Sequence, residues 1–428
     1  MLHLKYILNN NTLRNISLLS GGNIIAQLIP IMFAPILSRI YSPNDYGTFS
    51  SYYVIFGLFS IIATGRYEYS LLHPKSDNDV LIIVKISLYF ALFLGISVFI
   101  TSITYSFFNK LQIYYFTTLP LSVAGTGLFQ TCNSWLNRYA FYKHIIFGKL
   151  IQNISKTFFE IFFGVFGLNS GGLFIGHFIG VFFANIYFLL FTKLKINLIS
   201  KFNTKIRMLE LAKEYKDYPL YNLPFSFIDR LATSVPLLFI SFSFNSQDIG
   251  HFGFTERIIY SPFSLISAPI AMVLLKEVSQ LYREHKSIKV IMKQITKTLI
   301  YLSIVPFLIL LIFSNTLFSQ IFGIEWAASG KIASILSLSF MVKSIISPLS
   351  NIFIALNLPK KIAQWQTLYL LFHLLGVGFS LYYNTNQNIY MYTWIVVIVD
   401  LISYCVYYFM IHKAIQQYNA TVNKINND

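Results

Sequence analysis

Four runs without a single charged residue, 15–38, 86–109, 111–137 and 298–324, constrain this chain more than any other feature. Each exceeds the roughly 20 residues that carry a helix across a ~30 Å hydrocarbon core. Inside lipid every backbone N–H and C=O must be bonded, which leaves helices and closed barrels. Barrel strands alternate polar and apolar residues, and these runs do not. Charged residues make up 11% of the chain, against about 25% in a soluble domain. The pattern predicts an all-α, polytopic membrane protein. Twelve spans are expected: 15–38, 47–71, 81–107, 113–136, 145–167, 171–192, 219–243, 249–275, 291–313, 328–354, 362–383 and 389–411. The first is read as a retained span rather than a cleaved signal, because no small-residue cleavage site follows it.

The positive charges fall on one side. The N-terminus, the 72–86, 193–217 and 276–297 segments and the C-terminus hold most of the lysines and arginines, while Arg39, Lys110 and Lys331 lie opposite. The positive-inside rule then puts both termini in the cytoplasm. The net charge of +16 therefore reads as topology and attraction to anionic lipid, and nucleic-acid binding is not expected. Cys132 and Cys405 both lie in spans, and two such cysteines give no argument for a disulfide framework or a metal cluster. No cofactor or metal is expected either, since no ligand cluster, Gly-rich phosphate loop or nucleophile motif occurs.

Charged side chains inside otherwise apolar spans point to function. They are Arg66, Lys156, Arg230, Arg257 and Lys343, with Glu68, Glu160, Asp229, Glu256 and Asp400. A charge at the bilayer centre costs roughly 2.5–3.5 kcal/mol on insertion scales. These ten must line a wet interior or pair with one another. Lys156 and Glu160 share a helix face at i,i+4; the pair either holds helices together or balances an anion-site lysine when that site is empty. A cross-helix pair between Lys343 and Asp400 is possible. Arg230 and Arg257 are the best candidates for phosphate, because a guanidinium binds it bidentately. Arg66 either snorkels to the headgroups or acts as a gate. His177 and His373 read as packed, hydrogen-bonded histidines.

The chain reads as two halves, residues 1–192 and 218–428, joined by a basic linker at 193–217 in which Ile206, Leu209 and Leu211 suggest a short amphipathic helix. Asp45-Tyr46-Gly47-Thr48-Phe49 and Asp248-Ile249-Gly250-His251-Phe252 share the pattern D-x-G-x-F, each at the start of an even-numbered span. The first helix of each half is interrupted, by Gly21, Gly22, Pro30 and Pro35 and by Pro219, Pro224 and Pro236. Interrupted helices in corresponding positions mark substrate paths in repeat-built transporters.

Ala26-Gln27-Leu28-Ile29-Pro30 through Ser38-Arg39-Ile40-Tyr41-Ser42-Pro43-Asn44-Asp45-Tyr46-Gly47 resembles the opening of bacterial O-antigen (Wzx-type) polysaccharide-unit flippases, a branch of the multidrug/oligosaccharidyl-lipid/polysaccharide exporter superfamily. So do Ala63-Thr64-Gly65-Arg66-Tyr67-Glu68 and Tyr215-Lys216-Asp217-Tyr218-Pro219-Leu220-Tyr221. The resemblance implies two six-helix lobes with pseudo-twofold symmetry along the membrane normal, opening alternately to each side. It implies a cargo of undecaprenyl-diphosphate-linked oligosaccharide moved to the periplasmic leaflet of the inner membrane, with no enzymatic chemistry. A polysaccharide polymerase and a chain-length regulator would be its partners. The family's cavity is cationic; here the intramembrane charges are balanced. A cation-coupled multidrug exporter would instead need an acidic pocket, and a membrane-embedded polymerase or ligase a large outer loop.

Overall fold

The computed structural model describes residues 11–108, 113–196, 205–383 and 388–425. The helices are α1 Asn11–Met32, α2 Ala34–Ile40, α3 Pro43–Ile62, α4 Asp77–Phe108, α5 Ile113–Arg138, α6 Tyr142–Val165, α7 Ser170–Ile196, α8 Lys205–Glu214, α9 Leu223–Ser243, α10 Ser246–Arg283, α11 Lys289–Phe322, α12 Ala327–Leu349, α13 Asn351–Ala355, α14 Pro359–Tyr382 and α15 Ile389–Ile425. The protein is an all-α, multi-pass membrane protein. Among the described residues, seven segments are long and apolar enough to cross a bilayer: Gly21–Ile40, Asp77–Thr104, Ser170–Phe191, Tyr218–Ser243, Lys289–Phe322, Ile324–Ala355 and Ile389–Asn423. The other long helices, α3, α5, α6, α10 and α14, occupy the remaining expected spans. Two of them are kept from uniform apolarity by the charges singled out above, Lys156 and Glu160 on α6 and Glu256 and Arg257 on α10.

Several expected boundaries move. The span expected at 47–71 stops at Ile62, and the chain turns through Gly65 and Arg66, both left-handed at φ 60° and 63°, into a 3₁₀ turn at Tyr67–Leu72. Arg66 and Glu68 therefore sit beyond a transmembrane helix rather than within one. The first span is broken at Phe33, between Pro30 and Pro35. A proline removes an N–H and clashes with the carbonyl of the preceding turn. The span expected at 328–354 splits at Ser350, just after Pro348. Helices α10, α11 and α15 run well past the apolar stretches that defined their spans.

The D-x-G-x-F repeat has a local physical meaning. Ser42 Oγ accepts from the Asp45 N–H at 3.2 Å, and Asp45 Oδ2 accepts from the Ser42 N–H at 3.0 Å, a reciprocal capping box with Pro43 in the first turn. Asn245 Oδ1 likewise accepts from the Asp248 N–H at 2.8 Å. Such caps satisfy the orphan donors at a helix start. In both repeats the glycine and the phenylalanine are buried. The motif starts α3 and α10 and fixes their direction.

The chain packs as two compact units, Met1–Arg230 and Leu231–Asp428. In the first, α6 and α7 form the most extensive helix pair, with α1 against α6, α5 against α7, and α4 against α5. Its core of Leu71, Val80, Ile83, Leu136, Ala184 and Phe188 extends to Leu211 of α8. Ile206 and Leu209 of α8 are exposed, so only one edge of that short helix is packed. In the second unit, α12 packs on α10, α11 and α15, over a core that includes Leu274, Val278, Leu299, Phe353 and Trp365. Phe93, Ile312, Leu375 and Phe409 are large apolar residues left exposed, as lipid-facing walls require.

Candidate functional site

The intramembrane charges collect into separate clusters. In the first unit Lys156 and Glu160 face one another on α6 at 3.8 Å, one helical turn apart and both buried. The Lys156 ammonium lies 5.8 Å from the Phe49 ring centre and 5.6 Å from that of Tyr53, within cation–π range. His177 of α7 packs into the same aromatic group, 4.6 Å from Phe56 and 5.6 Å from Tyr53 between ring centres. A cation is thus held over ring faces beside a fully buried carboxylate. The Glu160 backbone carbonyl also accepts from Tyr41 OH at 2.6 Å, tying α6 to the end of α2.

A feature the charge pattern did not reveal sets this geometry. Gly172, Gly176 and Gly180 form a stripe along α7. A Cβ on Gly176 would lie 2.6 Å from Glu160 Cγ, and one on Gly180 would lie 2.6 Å from the Gln152 carbonyl and 2.7 Å from Lys156 Cβ. Small residues at four-residue spacing let membrane helices approach backbone to backbone. The spacing was visible in the sequence and could have placed α7 directly against the Lys156 face.

At one end of the same unit, Arg66 pairs with Glu68 at 3.6 Å and donates to Tyr69 OH at 3.1 Å, while Thr64 Oγ1 donates to Glu68. Arg66 and Glu68 are both buried. A non-glycine residue in the left-handed region costs of order 1–3 kcal/mol and persists only where its surroundings hold it. Here the ion pair and the Tyr69 hydroxyl do so. Arg138 then clamps the following loop, donating to the Leu71 and Pro74 carbonyls at 2.7 and 2.5 Å. Arg207 of α8 forks onto Asp79 at 3.0 and 2.9 Å. Arg230 places its guanidinium against α3 at Gly57, where any Cβ would collide with it. Neighbouring Asp229 is exposed.

The second unit holds one carboxylate at the meeting point of three helices. Asp400 of α15 is 1% exposed. Its Oδ2 lies 2.8 Å from Lys343 Nζ and accepts from Ser339 Oγ, both of α12. Its Oδ1 accepts from Tyr369 OH at 2.8 Å and lies 3.4 Å from His373 Nε2, both of α14. The cross-helix pair that sequence left open is therefore present. His373, read as a packed, hydrogen-bonded histidine, is buried with its Nδ1 3.1 Å from the Tyr369 carbonyl, and its other ring nitrogen faces Asp400. Ser339 and Tyr369 were not singled out, and an isolated serine or tyrosine in an apolar span gives no signal of its own. Glu256 and Arg257 of α10 are half-buried, and no ion pair to Arg257 occurs among the described residues. No group of residues suited to a metal ion occurs among the described residues.

Solved structures share this architecture. An inward-facing multidrug-resistance MATE-family transporter of the MOP superfamily matches with a TM-score of 0.70 at 13% identity, over 93% of this chain and 99% of its own. The lipid II flippase MurJ, in an inward closed conformation, matches with a TM-score of 0.69 at 15% identity, over 95% and 90%. A MOP-superfamily transporter from Pyrococcus furiosus, described by the reverse polarity of its binding pocket, matches with a TM-score of 0.60 at 12% identity, over 96% and 98%. At such identities the likeness establishes a two-lobe transporter fold. No curated protein matches the sequence. The family described as "Polysaccharide biosynthesis protein" matches residues 36–331, and the chain belongs to that family.

Proposed function

We propose that this protein is a flippase that carries an undecaprenyl-diphosphate-linked oligosaccharide, such as an O-antigen repeat unit of lipopolysaccharide, from the cytoplasmic to the periplasmic leaflet of a bacterial inner membrane. Both termini lie in the cytoplasm, residues 1–192 and 218–428 act as its two lobes, and 193–217 link them. A polymerase and a chain-length regulator use the flipped unit. Membership of the polysaccharide biosynthesis family and the transporter fold support this.

The observation that carries the reading is Lys156. Its ammonium sits over Phe49 and Tyr53, and its ion pair is long at 3.8 Å. A lysine so held can exchange the carboxylate for a phosphate, and the same ring faces can stack on sugars. Arg230 in the first unit and Arg257 and Lys343 in the second are the other cations proposed to meet the diphosphate, with Arg66 as the gate. Lys343 would have to release Asp400 to do so. Glu68, Glu160, Asp229, Glu256 and Asp400 balance these cations when no substrate is bound. Protonation of Glu160, Asp229, Glu256 or Asp400 would give the cycle direction, since a ligand shifts a two-state equilibrium only by its differential affinity.

The test separates folding from transport. Membrane abundance and flipped glycan are measured independently for Lys156→Met, Glu160→Gln and the double variant. A lone buried charge is the costly state, so each single variant should lose abundance and the pair should regain it. Restored abundance without flipping assigns Lys156 to the substrate. Restored flipping in the double variant would reduce the pair to a structural role and remove the main support for the proposal.

A further inference from the structure

The second unit carries a feature that the transport cycle does not use. Between the start of α14 and the far part of α15 lies an open cavity of about 630 Å³. Its rim is basic and polar, with Lys361 and Gln364 on one helix and Lys413 and Gln417 on the other. Thr367 is exposed on the same wall, and Leu368, Val406 and Met410 give the recess an apolar floor. The void exists because Ala363 and Ala414 face it with single methyl groups. Behind it, Trp365 stacks flat on Tyr407, ring centres 3.8 Å apart and planes 3° apart, which holds the two helices at a fixed separation.

Depth identifies the occupant. Lys361 stands two residues into α14 after Pro359, and Lys413 follows the apolar part of α15. Both lysines therefore stand where the apolar parts of the helices end, at headgroup level, while Leu368, Val406 and Met410 lie further along those apolar parts. This end of the helices is the one where basic residues concentrate, which the positive-inside rule makes cytoplasmic. The N-terminus of α14 has no side-chain cap, and its dipole adds to the positive field. No acidic residue lines the cavity. Two lysines serve as point charges for a phosphate, and the amides and the threonine hydroxyl suit ester or glycerol oxygens. Basic recesses between transmembrane helices on the cytoplasmic side are suited to anionic lipid headgroups. We infer that this recess is a binding site for an anionic glycerophospholipid of the cytoplasmic leaflet, its phosphate between Lys361 and Lys413 and the upper part of one acyl chain on Leu368, Val406 and Met410.

The experiment uses the full chain, delipidated in neutral detergent, with lipid adducts counted by native mass spectrometry. Phosphatidylglycerol and phosphatidylcholine with identical acyl chains are titrated separately. At about 1 kcal/mol per lysine the preference for phosphatidylglycerol should be about 30-fold. Lys361→Gln/Lys413→Gln should abolish the preference while leaving the lipid-free melting temperature unchanged. Leu368→Trp keeps both lysines but fills the floor, and it should weaken phosphatidylglycerol binding as well. Unchanged binding in Leu368→Trp would mean diffuse surface charge and would overturn the site. So would a preference that survives in the lysine variant. Glycerol phosphate and inorganic phosphate at millimolar concentration should fail to displace the lipid; displacement by either would reassign the recess to a free phosphate.

Discussion

The Asp400 hub allows a quantitative test of what holds the second unit together. One carboxylate, 1% exposed, meets Lys343, Ser339, Tyr369 and His373. Asp400→Leu would leave four polar groups without their shared acceptor, one of them a cation. Breaking a buried pair from one side costs about 3–5 kcal/mol. Lys343→Met removes a single charged donor and leaves the carboxylate with three others, so its cost should be near that of one hydrogen bond to a charged group, about 1.5–3 kcal/mol. The expected order is Asp400→Leu worst, with Lys343→Met and Tyr369→Phe milder. The double variant Lys343→Met/Asp400→Leu should be milder than the sum of its parts. Stability would be followed by heating the purified protein in detergent and measuring the fraction that remains monodisperse on size exclusion. Equal losses for the two single variants would refute the hub, and so would additivity within about 0.5 kcal/mol, the range expected of independent sites.

Gly180→Leu should destabilise the first unit by about 1–3 kcal/mol, the usual cost of overpacking. The atom it meets is the Gln152 carbonyl, which no rotamer can move; a wild-type melting temperature would show that α6 and α7 are not in backbone contact. Arg138→Lys should lower membrane abundance, because one ammonium cannot reach both the Leu71 and Pro74 carbonyls along the guanidinium fork. For topology, a single cysteine at Asn245 should label from the periplasm and one at Glu284 only after the membrane is opened. The background should carry Cys405→Ser, since Cys405 is exposed and Cys132 is buried. Labelling at Glu284 and not at Asn245 in sealed cells would reverse the orientation.

The membrane class and the places of the long helices were legible because hydrocarbon imposes one rule over about 20 residues at a time. Helix ends were less so. Tyr67–Leu72 is apolar enough to prolong a span, and only the left-handed pair Gly65–Arg66 ends it. Helix α15 continues to Ile425 because backbone hydrogen bonding does not stop where hydropathy does. Among the charges, Lys156 and Glu160 could be paired from their spacing alone. The contact between Lys343 and Asp400 could not, since it depends on how α12 packs against α15. Likewise, nothing local in Tyr369 or Ser339 foretells that a carboxylate distant in sequence will accept their hydroxyl hydrogen bonds.

The glycine stripe on α7 has a mechanical consequence. Where two helices touch backbone to backbone, no layer of side chains lies between them to slide or repack. Helices α6 and α7 must therefore travel as a single stiff strut, carrying the Lys156 ammonium and its ring platform without changing their mutual register. Strain arising during any large movement of this half of the protein would be diverted into its weaker joints. Two are visible: the turn through Gly65 and Arg66, where the helical ladder is already interrupted, and the break at Phe33 between two prolines.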